Sequence, residues 1–251
     1  MRSLEEKVIA VTGAAGGISS ATAALLASRG ASLSLADTDI KALGHLAEEI
    51  RSKYKSDVIT TKVDISNSEQ VNDWISSTIQ HFSKLSGAVN LAGTIGSEFG
   101  LKSAREVSDA DFDHVMAINV RGLMACQRAQ LRSIEDGGSI VNAASVSGKM
   151  GIPKALSYVA SKHAVIGLTR VAAAENGYRH VRVNAIAPGA IDTKMLDIAK
   201  EAGGAVSGEG MSPINRMGTP LEVAKLIAYL LSDDAAYTTG AVYTIDGGMT
   251  P

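Results

Sequence analysis

The fold of this chain is indicated by one stretch near its beginning, Val8-Ile9-Ala10-Val11-Thr12-Gly13-Ala14-Ala15-Gly16-Gly17-Ile18-Ser19. Its first four residues form a short apolar run, which is typical of a buried strand. Glycines follow, and then a helix-like stretch over residues 17–29. Glycines between a strand and a helix let the backbone approach a bound pyrophosphate, and the helix N-terminus offers amide donors and a favourable dipole. The stretch therefore predicts a phosphate-binding loop, although its spacing differs from the GxGxxG pattern of other dinucleotide folds.

Short apolar runs and amphipathic stretches alternate along the rest of the chain. The runs that predict strands occupy residues 8–11, 33–36, 58–63, 88–91, 140–144, 181–186 and 241–245. The stretches that predict helices occupy residues 17–29, 40–54, 69–82, 111–132 and 221–231, and a further helix follows the fifth strand. This alternation predicts an α/β fold, a doubly wound parallel sheet of about seven strands with helices on both faces. Because no repeat or linker interrupts the pattern, residues 1–251 are expected to form one domain.

Composition narrows the possible functions. The 251 residues are 45% apolar and 20% charged, with a formal net charge of −2, so nothing indicates binding to nucleic acid or to an anionic membrane. The only cysteine, Cys126, excludes an intrachain disulfide framework and suits a reducing, cytoplasmic setting. We interpret it as a small buried apolar residue. No run has transmembrane length, residues 1–6 lack the apolar region of a signal peptide, and the five histidines show no ligand spacing, so no metal is expected.

Ligands of such sheets bind beyond the carboxyl ends of the strands, and polar residues stand at several of these ends. Asp37 follows the second strand, where a carboxylate could accept a hydrogen bond from an adenosine ribose hydroxyl. Asp37 could instead cap the next helix, but Asp39 is better placed for that role. Three further strand ends carry candidate ligand contacts: Asp64-Ile65, the run Asn90-Leu91-Ala92-Gly93, and the run from Pro188 to Thr193.

A second chemical pattern lies in the helix after the fifth strand. Tyr158 and Lys162 are four residues apart, so they stand on one helix face about 6 Å apart along the axis. A nearby ammonium is expected to lower the pKa of the tyrosine from its ordinary value of about 10 toward the working range. Ser145, at the end of the fifth strand, could hold a carbonyl oxygen together with Tyr158. Alone, Tyr-x-x-x-Lys is weak, because most such pairs are ordinary surface residues.

Taken together, these motifs resemble those of the short-chain dehydrogenase/reductase family, in its branch of about 250 residues, over nearly the whole chain. Thr12-Gly13-x-x-x-Gly17-Ile18 is similar to the family's cofactor loop, and Asn90-x-Ala92-Gly93 to its strand-stabilising Asn-Asn-Ala-Gly. Its four catalytic positions correspond to Asn119, Ser145, Tyr158 and Lys162. Two positions depart from the pattern: Ser19 replaces the third glycine of the loop, and Leu91 replaces the second asparagine.

The resemblance implies a Rossmann-like fold, with cofactor binding over about residues 1–145 and catalysis and substrate binding over about 146–251. Tyr158 would exchange a proton with the substrate oxygen, Ser145 would hydrogen-bond that oxygen, and Lys162 would lower the tyrosine pKa and bind the nicotinamide ribose. Asn119 would hold a water that links Lys162 to solvent. The implied cofactor contacts are Gly13, Ala15, Gly16, Gly17, Ile18, Asp37, Asp64, Ile65, Asn90, Ala92, Gly93, Tyr158, Lys162, Pro188, Gly189, Ile191 and Thr193.

Cofactor choice is predicted from charge. Asp37 and Asp39 would repel the 2′-phosphate of NADP, and the loop offers alanines at positions 14 and 15 where NADP-preferring relatives usually carry a cation. NAD is therefore expected, with NADP as the alternative. Ser19 could crowd the pyrophosphate or donate from its hydroxyl to a phosphate of the cofactor, and we expect the second.

The segment 194–218 lies where the family places its substrate lid, and it contains several glycines and Met195, Met211 and Met217. Methionines suit an apolar ligand of variable shape, although a plain surface excursion explains the segment equally well. The expected substrate is an apolar secondary alcohol or ketone of terpenoid, steroid or polyketide type, as in secondary metabolism. The resemblance also implies a homotetramer or homodimer. The alternative function is a non-redox member that binds the nucleotide without net hydride transfer, which four intact catalytic positions disfavour.

Overall fold

Seven parallel strands form one sheet in a computed structural model that describes residues 4–201, 210 and 212–250. Their order is β3-β2-β1-β4-β5-β6-β7, and each neighbouring pair is parallel. In chain order, β1 to β7 are Val8–Thr12, Ser32–Asp37, Val58–Lys62, Gly87–Asn90, Ser139–Ala143, Arg182–Pro188 and Val242–Ile245. The strand order reverses between β1 and β4, so a crevice opens at the carboxyl ends of these two strands. The expected doubly wound α/β fold is confirmed.

The helices lie between the strands, mostly within a few residues of the predicted bounds. In chain order, α1 to α8 are Gly17–Ser28, Ile40–Tyr54, Ser68–Phe82, Asp109–Met116, Leu123–Ser133, Leu156–Asn176, Lys194–Glu201 and Pro220–Leu231. The predicted long helix 111–132 is interrupted, because a π-helical turn, Ala117–Gly122, separates α4 from α5. Helix α7 was not predicted. Among the described residues, no helix is long and apolar enough to cross a membrane.

Both faces of the sheet are covered by apolar side chains. On one face, α1, α2 and α8 bury Leu26, Leu43 and Ile227 against the sheet. On the other, α3 and α5 bury Trp74 and Cys126. Each fully buried large apolar side chain stabilises the fold by about 1.5–3 kcal/mol. Burial also raises the pKa of the Cys126 thiol to about 12, which agrees with its interpretation as an inert apolar residue.

Candidate active site

The glycine loop after β1 is packed so closely that side chains are excluded at two positions. Gly13 has a φ of +63°, and a Cβ atom there would lie 2.7 Å from the Cα atom of Ala92. A Cβ atom at Gly17 would lie 2.9 Å from Cγ2 of Thr193. Three segments therefore meet at the crevice: the loop after β1, the end of β4 and the segment before α7. They bring together four of the predicted cofactor contacts, Gly13, Gly17, Ala92 and Thr193.

Asp37 connects the end of β2 to this loop. Its Oδ2 accepts a hydrogen bond from the Ala15 N–H at 3.0 Å, and its Oδ1 accepts one from the Asp39 N–H at 3.0 Å. The helix-capping role belongs to Asp39, whose Oδ1 accepts from Lys41 and Ala42 at the start of α2. Because a carboxylate has about four acceptor positions, Asp37 can accept a further hydrogen bond while it holds the loop.

The start of α1 suits an anion. Gly16 precedes the helix without a side-chain cap, and the first turn carries no acidic residue, whereas α2 and α3 are capped by Asp39 and Asn67. Uncapped amides at a helix N-terminus favour negative charge. Together with the glycines and Asp37, this end of the sheet fits the pyrophosphate and adenosine ribose of a nicotinamide dinucleotide.

Ser19 lies on the buried face of α1. Only 3% of its surface is exposed, and it follows the same stripe as Thr22, Ala23 and Leu26. Its Oγ nevertheless lies beside the glycine loop, 3.8 Å from the place that a Cβ atom of Gly16 would take. The expectation that this hydroxyl donates to a phosphate stays a prediction.

The remaining predicted contacts line the same end of the sheet, with one exception. Ile65 is buried against Gly122, while the exposed Asp64 accepts through Oδ1 from the N–H and the hydroxyl of Ser66. Gly189 lies against Asp246, where a Cβ atom would come within 2.8 Å of the Asp246 Cβ. Ile191 pairs with Gly218 in a parallel bridge.

The exception is the side chain of Asn90. It is 2% exposed, and its amide nitrogen donates to Gln130 Oε1 and Asn142 Oδ1, both at 2.9 Å. Its Oδ1 accepts from Gln130 Nε2 at 2.8 Å. All of these bonds join β4 to α5 and β5, so the Asn90 side chain holds the sheet together, which matches the structural role of the family's asparagine. The predicted cofactor contact is left to the backbone of Asn90 at the end of β4 and stays a prediction.

Tyr158 and Lys162 lie on α6, as expected, and Ser145 faces them from the end of β5. The Lys162 ammonium lies 5.5 Å from the centre of the Tyr158 ring and donates to the Ala143 carbonyl at 2.8 Å. Ser145 caps a short 3-10 turn by accepting from the Ser147 N–H at 3.1 Å. Its hydroxyl donates to that of Ser147 at 3.2 Å and lies near enough to the Tyr158 side chain to lower the tyrosine pKa.

The pKa values of this pair differ from the expectation. Burial raises the pKa of Tyr158, and the hydrogen bond with Ser145 only partly offsets that rise. Burial lowers the pKa of Lys162 to about 8. The expected lowering of the tyrosine pKa by the ammonium is absent, because the ammonium lies over the ring and donates to Ala143. Tyr158 is therefore a proton donor at neutral pH.

Asn119 lies in the π-helical turn, and its side chain is held by protein groups. Its amide nitrogen donates to the Thr94 carbonyl at 2.8 Å and to the Ser161 hydroxyl at 3.0 Å, and its Oδ1 accepts from the Thr94 N–H at 2.8 Å. Both amide protons are used, so only Oδ1 and the backbone of Asn119 are left to hold the expected water, which stays a prediction. Asn119 also fixes the loop after β4, where a Cβ atom at Gly93 would lie 3.6 Å from Lys162 Nζ.

Sequence reasoning missed an apolar wall beside Tyr158. It consists of Ile95, Phe99, Ala155 and Ala199, with Ile152, Tyr158 and Val159 packed against it. The Phe99 ring meets the Tyr158 ring edge-on, with centroids 5.8 Å apart. Residues 95–99 carry no periodic pattern, so no signal in the sequence could have identified the wall.

The predicted lid is described in part. Helix α7 contributes Ala199 to the apolar wall, Met195 is 41% exposed, and Lys200 Nζ lies 3.5 Å from Met217 Sδ. The glycines at 203, 204 and 208 and Met211 lie outside the described residues. A cavity of about 130 Å³ lies beside Ile191 and Asp246, and none of the four catalytic candidates lines it.

Comparison with known proteins gives consistent matches over the whole length. A family model described as enoyl-(acyl carrier protein) reductase matches residues 13–250. The short-chain dehydrogenase/reductase aba4 of Botryotinia fuckeliana is 46% identical over 247 residues, which cover 96% of each chain. The 2,5-dichloro-2,5-cyclohexadiene-1,4-diol dehydrogenase of Sphingobium indicum is 41% identical over 255 aligned residues, covering 100% of this chain and 99% of that one. The crystal structure of levodione reductase superposes with a TM-score of 0.90 at 35% identity, over 97% of both chains.

Proposed function

This chain belongs to the short-chain dehydrogenase/reductase family and is an alcohol dehydrogenase/ketoreductase, and we propose that it uses NAD(H) to interconvert a secondary alcohol and a ketone on an apolar carbocycle. The observation that carries this proposal is the convergence of Ser145, Tyr158 and Lys162 beside an apolar wall at the crevice. Their intact arrangement disfavours a non-redox member of the family.

The chain's own residues account for proton transfer. A bound nicotinamide nucleotide supplies or accepts the hydride. In the direction of ketone reduction, Tyr158 donates its proton to the carbonyl oxygen, which it can do because burial keeps its hydroxyl protonated at neutral pH. Ser145 donates to the same oxygen and stabilises the charge that develops there. Lys162 donates to the Ala143 carbonyl, and its other ammonium protons would hold the nicotinamide ribose, as the family resemblance implies.

The preference for NAD rests on Asp37. Its carboxylate is fixed beside the loop by the Ala15 N–H, so it meets an adenosine 2′ substituent with a negative charge. A 2′-hydroxyl can donate to this carboxylate, whereas a 2′-phosphate is repelled in a half-buried site. We expect NAD to bind 10- to 100-fold more tightly than NADP, a difference of about 1.4 kcal/mol for each factor of ten.

The carbocyclic substrate is supported by the apolar wall and by a relative. Ile95 and Phe99 present apolar surface beside the Tyr158 ring. The Sphingobium relative is named for a cyclohexadiene diol, a secondary alcohol on a six-membered ring. A ring of this size, or a larger terpenoid or steroid ring system, suits such a surface. Cyclohexanol is the simplest probe of this class.

We also propose a homodimer or homotetramer that buries α6 and its neighbours. Val171 on α6 is 57% exposed, and Tyr178 directly beyond this helix is 83% exposed. Light scattering coupled to gel filtration measures the assembly, and a monomer at micromolar concentration contradicts this part of the proposal.

The test of cofactor choice compares dissociation constants of NAD and NADP at one ionic strength. For Asp37→Ser we expect the preference for NAD to fall at least tenfold. Asp39→Asn is the matched control, since it neutralises a neighbouring carboxylate that caps α2, and it should change the preference less than threefold. An unchanged preference in Asp37→Ser contradicts the assignment. Oxidation of cyclohexanol, followed by nicotinamide absorbance, tests the substrate class separately.

A further inference from the structure

A buried carboxylate outside the catalytic four contacts the neighbourhood of Tyr158. Asp111, on α4, is 6% exposed. Its Oδ1 accepts from the Ser97 N–H at 2.7 Å, the Ser97 hydroxyl at 3.1 Å and the Glu98 N–H at 3.2 Å. Its Oδ2 accepts from the hydroxyl of Ser157 at 2.9 Å. One side chain thus joins α4, the loop after β4 and the residue that precedes Tyr158.

The loop is shaped to pass close to this carboxylate. Gly96 has a φ of +85°, a conformation that side chains other than glycine rarely adopt. A Cβ atom at Gly96 would lie 2.7 Å from Asp111 Oδ1. The glycine therefore allows the next two backbone amides to approach the carboxylate.

A second attachment holds the other end of the same loop. Asn119 bonds both the N–H and the carbonyl of Thr94, as described above. Asp111 and Asn119 lie eight residues apart on one continuous helical segment, α4 with its π-helical turn. Residues 94–99, which we call the wall loop, are thus held at Thr94 and at Ser97-Glu98.

The wall loop carries the apolar wall. Ile95 directly follows the first attachment and Phe99 directly follows the second, and both belong to the apolar cluster that includes Tyr158. The Phe99 ring rests edge-on against the Tyr158 ring. A shift of the loop would therefore move the surface against which a substrate rests while its oxygen meets the Tyr158 hydroxyl.

The carboxylate is well suited to this task. Burial raises the pKa of Asp111, but the hydrogen bonds from Ser157, Ser97 and Glu98 outweigh that effect and hold the pKa below its ordinary value. A buried carboxylate is costly unless its oxygens are hydrogen-bonded, and here four donors surround an acceptor-only group. Apolar contacts alone could pack the loop onto the helix, but they are not directional. The hydrogen bonds to the Asp111 carboxylate add a defined geometry.

We propose that Asp111 is a positioning residue, which clamps the wall loop to α6 and so sets the place of Ile95 and Phe99 relative to Tyr158 for substrate binding. This inference rests on the proposed function, because it assigns the wall to an apolar substrate. It predicts that loss of the clamp weakens substrate binding and leaves cofactor binding unchanged.

The experiment compares Asp111→Ala, Asp111→Asn and a control in the holoenzyme with NAD. The amide oxygen of the asparagine can still accept from Ser97 and Glu98, so Asp111→Asn should retain the clamp. Ser34→Ala is the control, since Ser34 is buried and bonded to Trp74 and Thr78 away from the site. Hydrogen exchange reports on the amides of residues 94–99, and steady-state kinetics use cyclohexanol.

For Asp111→Ala we expect faster exchange in the wall loop, a KM for cyclohexanol raised at least tenfold, a kcat changed less than the KM, and an NAD dissociation constant within twofold of the parent. Asp111→Asn should stay within threefold of the parent KM, and Ser34→Ala within twofold.

If Asp111→Ala does not fold, Ser157→Ala removes one of the four bonds and should raise the KM about threefold. An unchanged KM, or a KM and an NAD dissociation constant that rise together, overturns the proposal. If the parent fails to oxidise cyclohexanol, the proposed substrate class fails, and the exchange comparison alone decides whether Asp111 clamps the loop.

Discussion

Two clusters of polar side chains lie near the middle of the molecule. They differ in the hydrogen bonds and the ionisable groups that they contain. The central amide network consists of Asn90, Gln127, Gln130, Asn142 and Thr169. The catalytic cluster consists of Asn119, Ser145, Tyr158 and Lys162. In the amide network, neutral amides and a hydroxyl donate to and accept from one another, all of them buried. In the catalytic cluster, burial instead shifts the pKa values of two titratable groups.

This difference indicates which cluster performs chemistry. A neutral network whose buried groups are hydrogen-bonded gives a fixed arrangement of strands and helices, and the protein loses stability when one partner is removed. A cluster with raised and lowered pKa values is poised to exchange protons. The amide network should therefore determine stability, and the catalytic cluster should determine the rate.

The largest expected effect separates the two clusters by rate. Tyr158→Phe removes the proton donor and keeps the ring that packs on Phe99, so turnover should fall at least ~10²-fold. Cofactor affinity and the midpoint of thermal unfolding should change little. Steady-state kinetics, fluorescence titration with NAD and thermal unfolding measure these three quantities. Turnover equal to that of the parent would show that another group transfers the proton.

The second largest expected effect distinguishes the amide network from the catalytic cluster by the free energy of unfolding. Asn90→Leu removes three hydrogen bonds and leaves the Gln130 amide and Asn142 Oδ1 without a buried partner, so the free energy of unfolding should fall by about 2–5 kcal/mol. The kcat of the folded fraction should stay within threefold. In the control, Asn90→Leu combined with Gln130→Leu should recover part of the loss, because both partners are then apolar. Denaturant unfolding measures both. A large fall in kcat with unchanged stability would reverse the roles of the clusters.

A third effect depends on pH. Burial raises the pKa of Tyr158 and lowers that of Lys162 to about 8. Alcohol oxidation needs a proton acceptor, so its kcat/KM should rise by up to about tenfold per pH unit from neutral pH toward alkaline pH, until the pH reaches the raised pKa of Tyr158. Ketone reduction needs the proton donor, which the raised pKa keeps protonated, so its kcat/KM should stay level over the same range. The residual activity of Tyr158→Phe should lack this slope, and an oxidation rate independent of pH from 6 to 9 contradicts the assignment.

Much of the fold could be predicted because buried strands of a parallel sheet appear as continuous apolar runs. Helix α2, Ile40–Tyr54, matches its predicted bounds, and the seven strands agree within one or two residues. The four catalytic candidates were predicted because their spacing resembles that of the family. The π-helical turn could not be predicted, because it depends on contacts of Asn119 with Thr94 and of Gly122 with Ile65 across the fold.

Other features could not be predicted, for equally specific reasons. Asn90 and Asn119 are the same residue type beside the same crevice, and only the direction of each side chain distinguishes a strand clamp from a site residue. Asp111 looks like an ordinary acidic residue in the first turn of a helix, where the dipole favours it. Its contacts with Ser97 and Ser157 come from segments 14 and 46 residues away, so local patterns do not reveal them.

The smallest expected effect tests whether Ser19 belongs with the structural or the functional groups. Ser19 departs from the glycine of the family pattern, but its side chain is 3% exposed on the buried face of α1. Ser19→Gly should therefore change the NAD dissociation constant less than threefold, while glycine's lower helix propensity reduces stability by about 0.5 kcal/mol. Ser20→Gly is the control, because Ser20 is the adjacent, more exposed position of the same turn, and its hydroxyl bonds only the Gly17 carbonyl. Isothermal titration with NAD and thermal unfolding of both variants measure the two quantities. If NAD binding weakens tenfold in Ser19→Gly and not in Ser20→Gly, the Ser19 hydroxyl contacts the cofactor. Burial in the first turn of α1 would then not distinguish structural from functional residues.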